Sequence, residues 1–280
     1  MTRVAFQGEL GAFSEEAVVR LFGEGATAVP CRDFAEVGRA VTSGEVDFGV
    51  LPIENSLAGS VIGSYDVLGG GTFRIVGEVI TPIHHNILGV PGSTLSGLRR
   101  IVSHPVALAQ CTRILRELSG VEALAVYDTA GAARDVAAEG DLTQAAIAGN
   151  SAASRYGLTV LARNVEDRDD NQTRFLAIIP ADAELRTPPR RASGTMKTAL
   201  LLETSNEPGA LLRVLSPLAG RGLNLSKLES RPAGEPWSYR FFLEFDGDSS
   251  EPAAAAALEE VRSATLQLHI LGSYPRWLED

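Results

Sequence analysis

The sequence predicts an α/β protein in two parts, and three observations lead to this prediction. Strand-like apolar segments alternate with helix-like segments over residues 1–180, which is typical of an α/β architecture with largely parallel sheets. Residues 181–197 are rich in Pro, Arg and small residues, show no periodicity and are predicted to be a linker. Residues 198–276 follow the order strand, helix, strand, strand, helix, strand, which is the ferredoxin-like βαββαβ unit.

The first part begins with RVAFQG, which is predicted to be a strand. Ser14 is predicted to cap the helix that follows, because its hydroxyl can accept a hydrogen bond from a backbone N–H. Glu15 and Glu16 fall in the first turn of that helix, where acidic side chains interact favourably with the helix dipole. Further strands are predicted in VDFGVLPIEN and TFRIVGEVITPIHHNILGV.

The alternation continues through the rest of the first part. The short strand RRIVSHP leads to Pro105, a favourable first residue for a helix that is expected to end near Gly120. Thr129 is predicted to cap the next helix, and Gly140 to end it. The strand QAAIAGN, the short helix SAASRYG and a last strand at 175–179 complete this part.

In the second part, the strand KTALLLETS precedes a helix within EPGALLRVLSPLAGRG. Pro217 falls inside that helix and is expected to kink it or to loosen its last turns. The remaining segments are LNLSKLESRP and WSYRFFLEFDG as strands, EPAAAAALEEVRSAT as a helix and LQLHILGSYP as a strand.

Composition and charge argue against several classes of function. The 280 residues carry a formal net charge of −10, which disfavours nucleic acid or an acidic membrane as a partner, because both attract basic surfaces. Two cysteines, Cys31 and Cys111, are too few for a disulfide framework and are typical of a reducing compartment. The sequence has no apolar signal-peptide segment and no apolar run long enough to span a bilayer. A cytoplasmic location is therefore expected.

The most informative motif is NQTRF, where a charged, amide-rich run changes abruptly into an apolar strand. Arg174 carries a planar guanidinium that suits a carboxylate, and the hydroxyl of Thr173 can donate or accept a hydrogen bond. A surface arginine is the commoner explanation of such a residue. Its position at the mouth of a predicted buried strand favours the binding of a small anion.

Three other motifs are candidates for ligand contacts, and each has a structural alternative. Glu54, Asn55 and Ser56 follow an apolar strand, where open α/β sheets place ligands, but an Asn/Ser turn explains them equally well. In FQGELGAFSEE, the start of a helix could bind an anion, or the glycines could simply form a turn. Ser103 is expected to cap a helix or to contact a ligand, rather than to act as a nucleophile.

No metal or cofactor site is predicted. His84 and His85 are adjacent, so on a strand they point to opposite faces and cannot readily bind one metal ion. One buried, hydrogen-bonded histidine is expected there instead. The sequence has no P-loop and no credible dinucleotide-binding fingerprint.

The motifs, in their order along the chain, resemble those of the prephenate dehydratases. The matching segments are GELGAFSEE, PIENSLAGS, IHHNIL, SHPVALAQC, AAIAGNSAASRYGL and NQTRF, followed by GALLRVL and LNLSKLESRP. The resemblance implies a catalytic domain at 1–180 whose two subdomains, the second at roughly 81–160, are similar to a type II periplasmic binding protein with the active site in the cleft. It also implies a linker at 181–197 and an ACT regulatory domain at 198–276.

The resemblance also implies roles for individual residues. Catalytic roles are expected for Thr173, Arg174, Asn55, Ser103 and Gln110. Substrate contacts are expected at Ala12, Phe13, Ser14, Ser56, Thr129 and Phe175. A phenylalanine site between paired ACT domains is expected at Asn206, Gly209, Ala210, Leu211, Glu229, Ser230, Arg231 and Pro232. The family usually has Gln where Val106 stands in this chain.

The implied reaction is the loss of carbon dioxide and water from prephenate to give phenylpyruvate in phenylalanine biosynthesis. The departing hydroxyl and the new aromatic ring serve as the electron sink, so no cofactor is expected. Our hypothesis is that Arg174 pairs with a carboxylate of prephenate and that Thr173 hydrogen-bonds the departing hydroxyl. Phenylalanine is the expected allosteric effector, and pairing of ACT domains the expected basis of a homodimer or homotetramer.

Three alternatives remain open at this stage. An arogenate dehydratase would perform the same chemistry on an amine in place of the keto group. A non-catalytic protein could use the two-lobed fold to bind a small anion or an amino acid. A pure amino-acid sensor would keep the ACT domain beside an inert front domain, and loss of the TRF motif would then be expected.

Overall fold

The computed structural model describes residues 1–185, 187–190, 194–234 and 237–277. The strands are β1 (Arg3–Gln7), β2 (Thr27–Cys31), β3 (Phe48–Asn55), β4 (Gly59–Ser60), β5 (Phe73–Pro82), β6 (Asn86–Gly89), β7 (Arg100–Ser103), β8 (Glu122–Ala125), β9 (Gln144–Ala148), β10 (Thr159–Ala162), β11 (Gln172–Pro180), β12 (Met196–Glu203), β13 (Leu225–Pro232), β14 (Tyr239–Asp246) and β15 (Gln267–Pro275). The helices are α1 (Phe13–Phe22), α2 (Phe34–Thr42), α3 (Ile62–Leu68), α4 (Pro105–Ala109), α5 (Thr112–Glu117), α6 (Thr129–Glu139), α7 (Asn150–Tyr156), α8 (Ala210–Ala219) and α9 (Pro252–Ser263). Among the described residues, no helix is both long enough and apolar enough to cross a membrane.

These elements form two compact units. The first contains Met1–Val61 and Val79–Phe175, and the second contains Ile62–Glu78 and the chain from Leu176 onward. The early segment that holds α3 therefore belongs with the C-terminal part of the chain. Strands β5 and β11 each continue from one unit into the other.

The first unit is built on two sheets. One has the order β2-β1-β3-β11-β5, with β4 paired to β3, and β1 is parallel to both of its neighbours. The other has the order β10-β6-β9-β7-β8, in which β7 is parallel to β8 and β9, whereas β6 is antiparallel to β9 and β10. The predicted α/β class is confirmed, and the antiparallel pairs are a feature that the sequence did not indicate.

Two predicted helix caps are wrong by one or two residues. Helix α1 already includes Ser14, and its N-cap is Ala12, which makes no side-chain cap hydrogen bond. Helix α6 includes Thr129, and its N-cap is Asp128, whose carboxylate accepts the N–H of Gly131 at 2.6 Å. A carboxylate caps a helix better than a threonine hydroxyl does, because it also complements the helix dipole.

The helix predicted from Pro105 to Gly120 is divided into two. Helix α4 starts at Pro105 as expected but ends at Ala109, and α5 starts at Thr112. The carboxylate of Asp167 accepts the N–H of Thr112 at 2.9 Å, so a residue distant in sequence caps the second helix. This cap from a distant residue fixes the short connection between α4 and α5, which includes Gln110.

The second unit contains the predicted βαββαβ order. Its sheet is antiparallel with the order β13-β14-β12-β15. Leu200, Val214 and Phe245 belong to the core that this sheet forms with α8 and α9. Pro217 lies in the last turn of α8, which ends at Ala219, so the helix continues through the proline.

A buried cluster of charges also lies in the second unit. The ammonium of Lys197 is 3.1 Å from Oε2 of Glu78 on β5 and 3.7 Å from Oε2 of Glu244 on β14. The backbone N–H of Trp277 donates to the other oxygen of Glu78 at 3.0 Å. One lysine thus faces two buried carboxylates, one on β5 and one on β14.

Candidate active site

A cavity of about 560 Å³ lies in the first unit, beside the carboxyl ends of β1, β3 and β7. This is where open α/β sheets bind ligands. Of the predicted site residues, the cavity is lined by Phe13, Ser14, Asn55, Gln110, Thr129, Thr173 and Phe175. Polar residues that were not predicted also line it, namely Gln7, Arg32, Asp33, His85, His104, Tyr127 and Asp128.

Thr173 lies next to Asn55 in the wall of this cavity. The amide Nδ2 of Asn55 donates to Oγ1 of Thr173 at 2.9 Å, although the two residues are 118 positions apart. They meet because β3, which ends at Asn55, and β11, which carries Thr173, are neighbours in the sheet. Since an amide nitrogen only donates, the hydroxyl oxygen accepts here, and its own hydrogen remains available to a ligand.

Backbone groups fix the orientation of the Asn55 amide. The N–H groups of Leu57 and Ala58 donate to Oδ1 of Asn55 at 3.0 and 2.8 Å. A backbone N–H can only donate, so the atom that faces these groups must be the oxygen. The NH₂ group must then face Oγ1 of Thr173, Oδ1 of Asn171 at 2.8 Å and the carbonyl of Gln172 at 3.1 Å. Asn55 therefore both forms the turn after β3 and orients Thr173.

Gln110 extends this network towards the second sheet. Its Oε1 accepts a hydrogen bond from Nδ2 of Asn171 at 3.0 Å and lies 3.2 Å from Nε2 of His85. Its Nε2 lies 3.4 Å from Oδ1 of Asn55. The carbonyl of Gln110 accepts the N–H of Asp167 at 2.7 Å, which holds the residue at the break between α4 and α5.

His85 is the buried, hydrogen-bonded histidine that the sequence predicted. Because the amide oxygen of Gln110 only accepts, Nε2 of His85 must carry the hydrogen. Burial lowers the pKa of His85 from its ordinary value of 6.5, so the imidazole is neutral at physiological pH. Its Nδ1 is buried and has no hydrogen-bond partner in the described part of the chain. The ring of Phe13 packs edge-on against the imidazole at 5.6 Å.

Four helices begin at the cavity, and their first residues or caps belong to its lining. These are Phe13 and Ser14 of α1, Asp33 and Phe34 of α2, His104 and Val106 of α4, and Asp128 and Thr129 of α6. Asp33 and Asp128 each accept a backbone N–H of their own helix. Helix α1 has Ala12 as its cap, and Glu15 in its first turn accepts the N–H of Gly11 at 2.5 Å. Of these helices, α1 is the one whose N-cap side chain accepts no backbone N–H.

Ion pairs and hydrogen bonds occupy the rim of the cavity. Arg32 lies 3.3 Å from Glu36 and is largely exposed. The hydroxyl of Tyr127 donates to Oε1 of Glu9 at 3.1 Å, and Arg134 donates to the same oxygen at 2.6 Å. Burial, with the nearby carboxylate of Glu9, raises the pKa of Tyr127 to about 12. This tyrosine therefore stays a hydrogen-bond donor at neutral pH.

Arg174 does not belong to the described lining of the cavity. Side chains alternate along a strand, and Thr173 and Phe175 both face the cavity. Arg174 therefore points to the opposite face of β11, where its Nη2 is 4.0 Å from Oε2 of Glu54. The structure thus separates two residues that the sequence motif placed together.

Three further predicted residues also lie outside the described lining. Ser103 is fully buried, and its hydroxyl donates to the carbonyl of Ile147 at 2.6 Å. Ser56 donates to the carbonyl of Asp170 at 3.0 Å, which ties the turn after β3 to the start of β11. Ala12 serves as the N-cap of α1. Each of these residues supports the backbone around the cavity.

The residues predicted to bind phenylalanine lie in the second unit. Asn206 lies in the loop after β12, Gly209 caps α8 with φ of 81°, Ala210 and Leu211 begin that helix, and Glu229, Ser230, Arg231 and Pro232 end β13. Arg231 lies 2.7 Å from Glu229 and 5.5 Å above the ring of Tyr65. A phenylalanine site at these residues stays a prediction.

Asn171 and His85 were not predicted as site residues. A signal for Asn171 was available, because it belongs to the NQTRF motif and directly precedes β11, two positions before Thr173. His85 belongs to the IHHNIL segment and was expected to be a buried, hydrogen-bonded histidine, but its partner Gln110 is 25 positions away and was not foreseen. Within the described ranges, no group of three or more His, Cys, Asp or Glu side chains could hold a metal ion.

Comparison with known proteins places the chain in a family. The family model for prephenate dehydratase matches residues 4–183, and that for the ACT domain matches residues 198–263. The chain is 38% identical to arogenate dehydratase/prephenate dehydratase 2 of Arabidopsis thaliana, over 98% of this chain and 72% of that protein. It is 41% identical to a bifunctional N-acyl-homoserine lactone acylase/prephenate dehydratase of Komagataeibacter europaeus, over 97% of this chain and 95% of that protein.

A solved structure agrees with these matches. The prephenate dehydratase of Arthrobacter aurescens, in complex with L-Phe, superposes with a TM-score of 0.88 at 32% identity, over 98% of this chain and 90% of that one. The identity is high enough to support common descent as well as a common fold. The chain belongs to the prephenate dehydratase family and carries an ACT domain after its catalytic domain.

Proposed function

We propose that this protein converts prephenate into phenylpyruvate, carbon dioxide and water, under control by phenylalanine. The observation that carries this proposal is the hydrogen bond from Asn55 to Thr173 in the wall of the cavity. It leaves the hydroxyl hydrogen of Thr173 free for the departing oxygen of the substrate. Family membership supports a dehydratase, and the choice of prephenate is ours.

In the proposed reaction, the bond between the ring and its carboxylate breaks and releases carbon dioxide. The electron pair of that bond enters the ring, which becomes aromatic as the carbon–oxygen bond to the hydroxyl breaks. The departing oxygen gains negative charge and takes up a proton to leave as water. A hydrogen bond from Thr173 to that oxygen strengthens as the charge develops, so it lowers the barrier.

The substrate is a dianion, and the cavity offers it positive potential mainly through helix starts. The first turn of α1, with Phe13 and Ser14, is our proposed site for one carboxylate. Arg32 at the rim is a second positive group that could approach the substrate. We leave Arg174 out of direct substrate contact, because it points to the opposite face of β11.

We also propose that phenylalanine binds the ACT domain and reduces turnover. The relative from Arthrobacter aurescens was solved with L-Phe, and it matches this chain over both domains. The proposed site consists of the loop and helix start from Asn206 to Leu211 and the strand end from Glu229 to Pro232. Pairing of ACT domains in a homodimer or homotetramer would bring these segments of two subunits together. Regulation requires phenylalanine to bind one arrangement of the domains more tightly than another.

Two other activities are suggested by relatives. Arogenate dehydration uses the same bond changes, and Asp33 and Asp128 in the lining could accept the ammonium group of arogenate. The relative from Komagataeibacter europaeus is named as an acylase as well as a dehydratase. Acyl transfer needs an activated nucleophile, yet within the described residues neither Thr173 nor Ser103 hydrogen-bonds to a histidine. Dehydration is therefore the activity that the cavity supports better.

The test is turnover of prephenate, arogenate and an N-acyl-homoserine lactone by the purified full chain, with and without phenylalanine. We expect phenylpyruvate from prephenate, and suppression by phenylalanine. A preference for arogenate would mean that arogenate, rather than prephenate, is the substrate. Lactone hydrolysis that survives Thr173→Val would indicate a separate acylase activity. Absence of all three activities in folded protein would overturn the proposal in favour of a binding protein.

A further inference from the structure

We propose that Asn171 and His85 are positioning residues that keep the hydroxyl hydrogen of Thr173 directed at the substrate. They act through Gln110, which they hold in a single hydrogen-bonding orientation and which contacts the amide oxygen of Asn55. This inference rests on the proposed dehydratase function, because it assigns the two residues to the same site.

The orientation of the network starts at the backbone. Leu57 and Ala58 hold the oxygen of the Asn55 amide, so the amide nitrogen must point to Asn171 and Thr173. Oδ1 of Asn171 accepts from Asn55, which leaves Nδ2 of Asn171 to donate to Gln110. Each amide in turn has only one orientation that pairs a donor with an acceptor.

Gln110 is the point at which the network could reverse. If its amide flipped, its oxygen would face Oδ1 of Asn55, and two acceptors would meet. Asn171 and His85 oppose this flip, because both donate to the present position of Oε1, at 3.0 and 3.2 Å. Two donors to one oxygen thus fix the orientation of the Gln110 amide. Its NH₂ group then faces the amide oxygen of Asn55.

Burial makes these two donors hard to replace. Asn171 is 1% exposed and His85 is 3% exposed, so water has little access to substitute for a missing hydrogen bond. The imidazole is neutral and has one hydrogen, which the bond to Gln110 places on Nε2. The unpartnered Nδ1 agrees with this arrangement, because a hydrogen there would be a buried donor without an acceptor.

The first test is Asn171→Asp, which keeps the shape and the acceptor for Asn55 but loses the donor to Gln110. We expect kcat on prephenate to fall about tenfold or more, with a smaller change in KM. A protonated carboxyl group can donate to Gln110 again, so the ratio of variant to wild-type kcat should rise as the pH is lowered from about 8 to about 6. A ratio that stays constant with pH would overturn the role of Asn171.

Asn86→Asp is the matched control. Asn86 is 2% exposed, lies in the same unit and, within the described residues, hydrogen-bonds through its side chain to backbone groups only. It introduces a comparable buried carboxylate outside the network. We expect a similar loss of thermal stability but neither the loss of kcat nor its recovery at low pH. Equal kinetic behaviour of the two variants would mean that the effect at Asn171 is merely structural.

A pair of variants tests His85. His85→Phe keeps a ring against Phe13 but has no donor, whereas His85→Gln keeps a donor that can face Gln110. We expect kcat to be about tenfold lower in H85F and partly recovered in H85Q. Equal kcat values in the two variants would overturn the role of His85.

A measurement that does not depend on activity separates this inference from the proposed function. In the wild-type protein, the ¹⁵N resonances of His85 should report a hydrogen on Nε2 and none on Nδ1. The opposite tautomer would overturn the network even if prephenate is turned over. If neither prephenate nor arogenate is turned over, the proposed function fails, and the kinetic role of the two residues fails with it. The tautomer of His85 then still tests whether the hydrogen-bond network has this orientation.

Discussion

The ammonium of Lys197 lies 3.1 Å from Oε2 of Glu78, and the two side chains are 7% and 1% exposed. Removing one partner of a buried ion pair leaves a charge without compensation, which costs about 3–5 kcal/mol. Lys197→Met should therefore lower the free energy of unfolding by this order in urea denaturation.

Arg168→Met provides the control for this prediction. Arg168 pairs with Asp170 at 2.6 Å, but both side chains are more than half exposed. Exposed ion pairs contribute little, because solvent screens them. A loss of stability in R168M as large as that in K197M would contradict the special role of the buried cluster.

The stability of the first unit should depend on pH through His85. Burial lowers its folded-state pKa below the ordinary 6.5, so the unfolded state takes up a proton that the folded state resists. The contribution of His85 to the free energy of unfolding should fall as the pH is lowered from about 7 to about 5. Denaturation of the wild type and of H85Q across this range isolates the effect, and parallel curves would refute it.

Thr173 should be required for its hydroxyl rather than for its shape. Thr173→Val has nearly the same volume but cannot donate, so we expect kcat to fall by about 10²-fold or more with little change in KM. Thr173→Ser keeps the hydroxyl and should retain much more activity.

Thr81→Val is the matched control, because Thr81 is also buried on a strand but its hydroxyl has no partner among the described residues. T81V should therefore leave kcat near the wild-type value. Full activity in T173V would show that the hydroxyl is not used.

Gly11→Ala should disturb the start of α1. Gly11 has φ of +91°, and an added Cβ would lie 2.9 Å from the Cα of Ala152. We expect a cost of about 1–3 kcal/mol in stability and a rise in KM that exceeds the fall in kcat, because the proposed carboxylate site is displaced. Gly25→Ala is the control, since nothing lies within 4 Å of its Cβ position. Unchanged KM in G11A would argue against carboxylate binding at α1.

The sequence predicted much of the fold because local patterns determine it. Alternation of strands and helices indicated the α/β class, and the order of segments indicated the βαββαβ unit, both of which the structure contains. The caps at Asp128 and Asp167 were missed. Asp128 lies one residue before Thr129, which was the predicted cap, and Asp167 is distant in sequence from the helix that it caps.

The site was predicted less completely, because long-range contacts define it. Asn55, Gln110 and Thr173 were predicted from their motifs, whereas their hydrogen bonds to Asn171 and His85 depend on how β3, β11 and the segment after α4 come together. Arg174 is adjacent to Thr173 in the motif, but the strand turns their side chains to opposite faces, so a shared role for the two stays a prediction.

The continuity of β5 and β11 through both units has a consequence for chimeric proteins. The chain passes between the units at Val61/Ile62, Glu78/Val79 and Phe175/Leu176. A regulatory domain exchanged between relatives at one junction in 181–197 would therefore carry Lys197 and Glu244 from one parent and Glu78 from the other. Successful grafts should be those that transfer residues 62–78 together with the C-terminal part, so that the buried charges are inherited as a set.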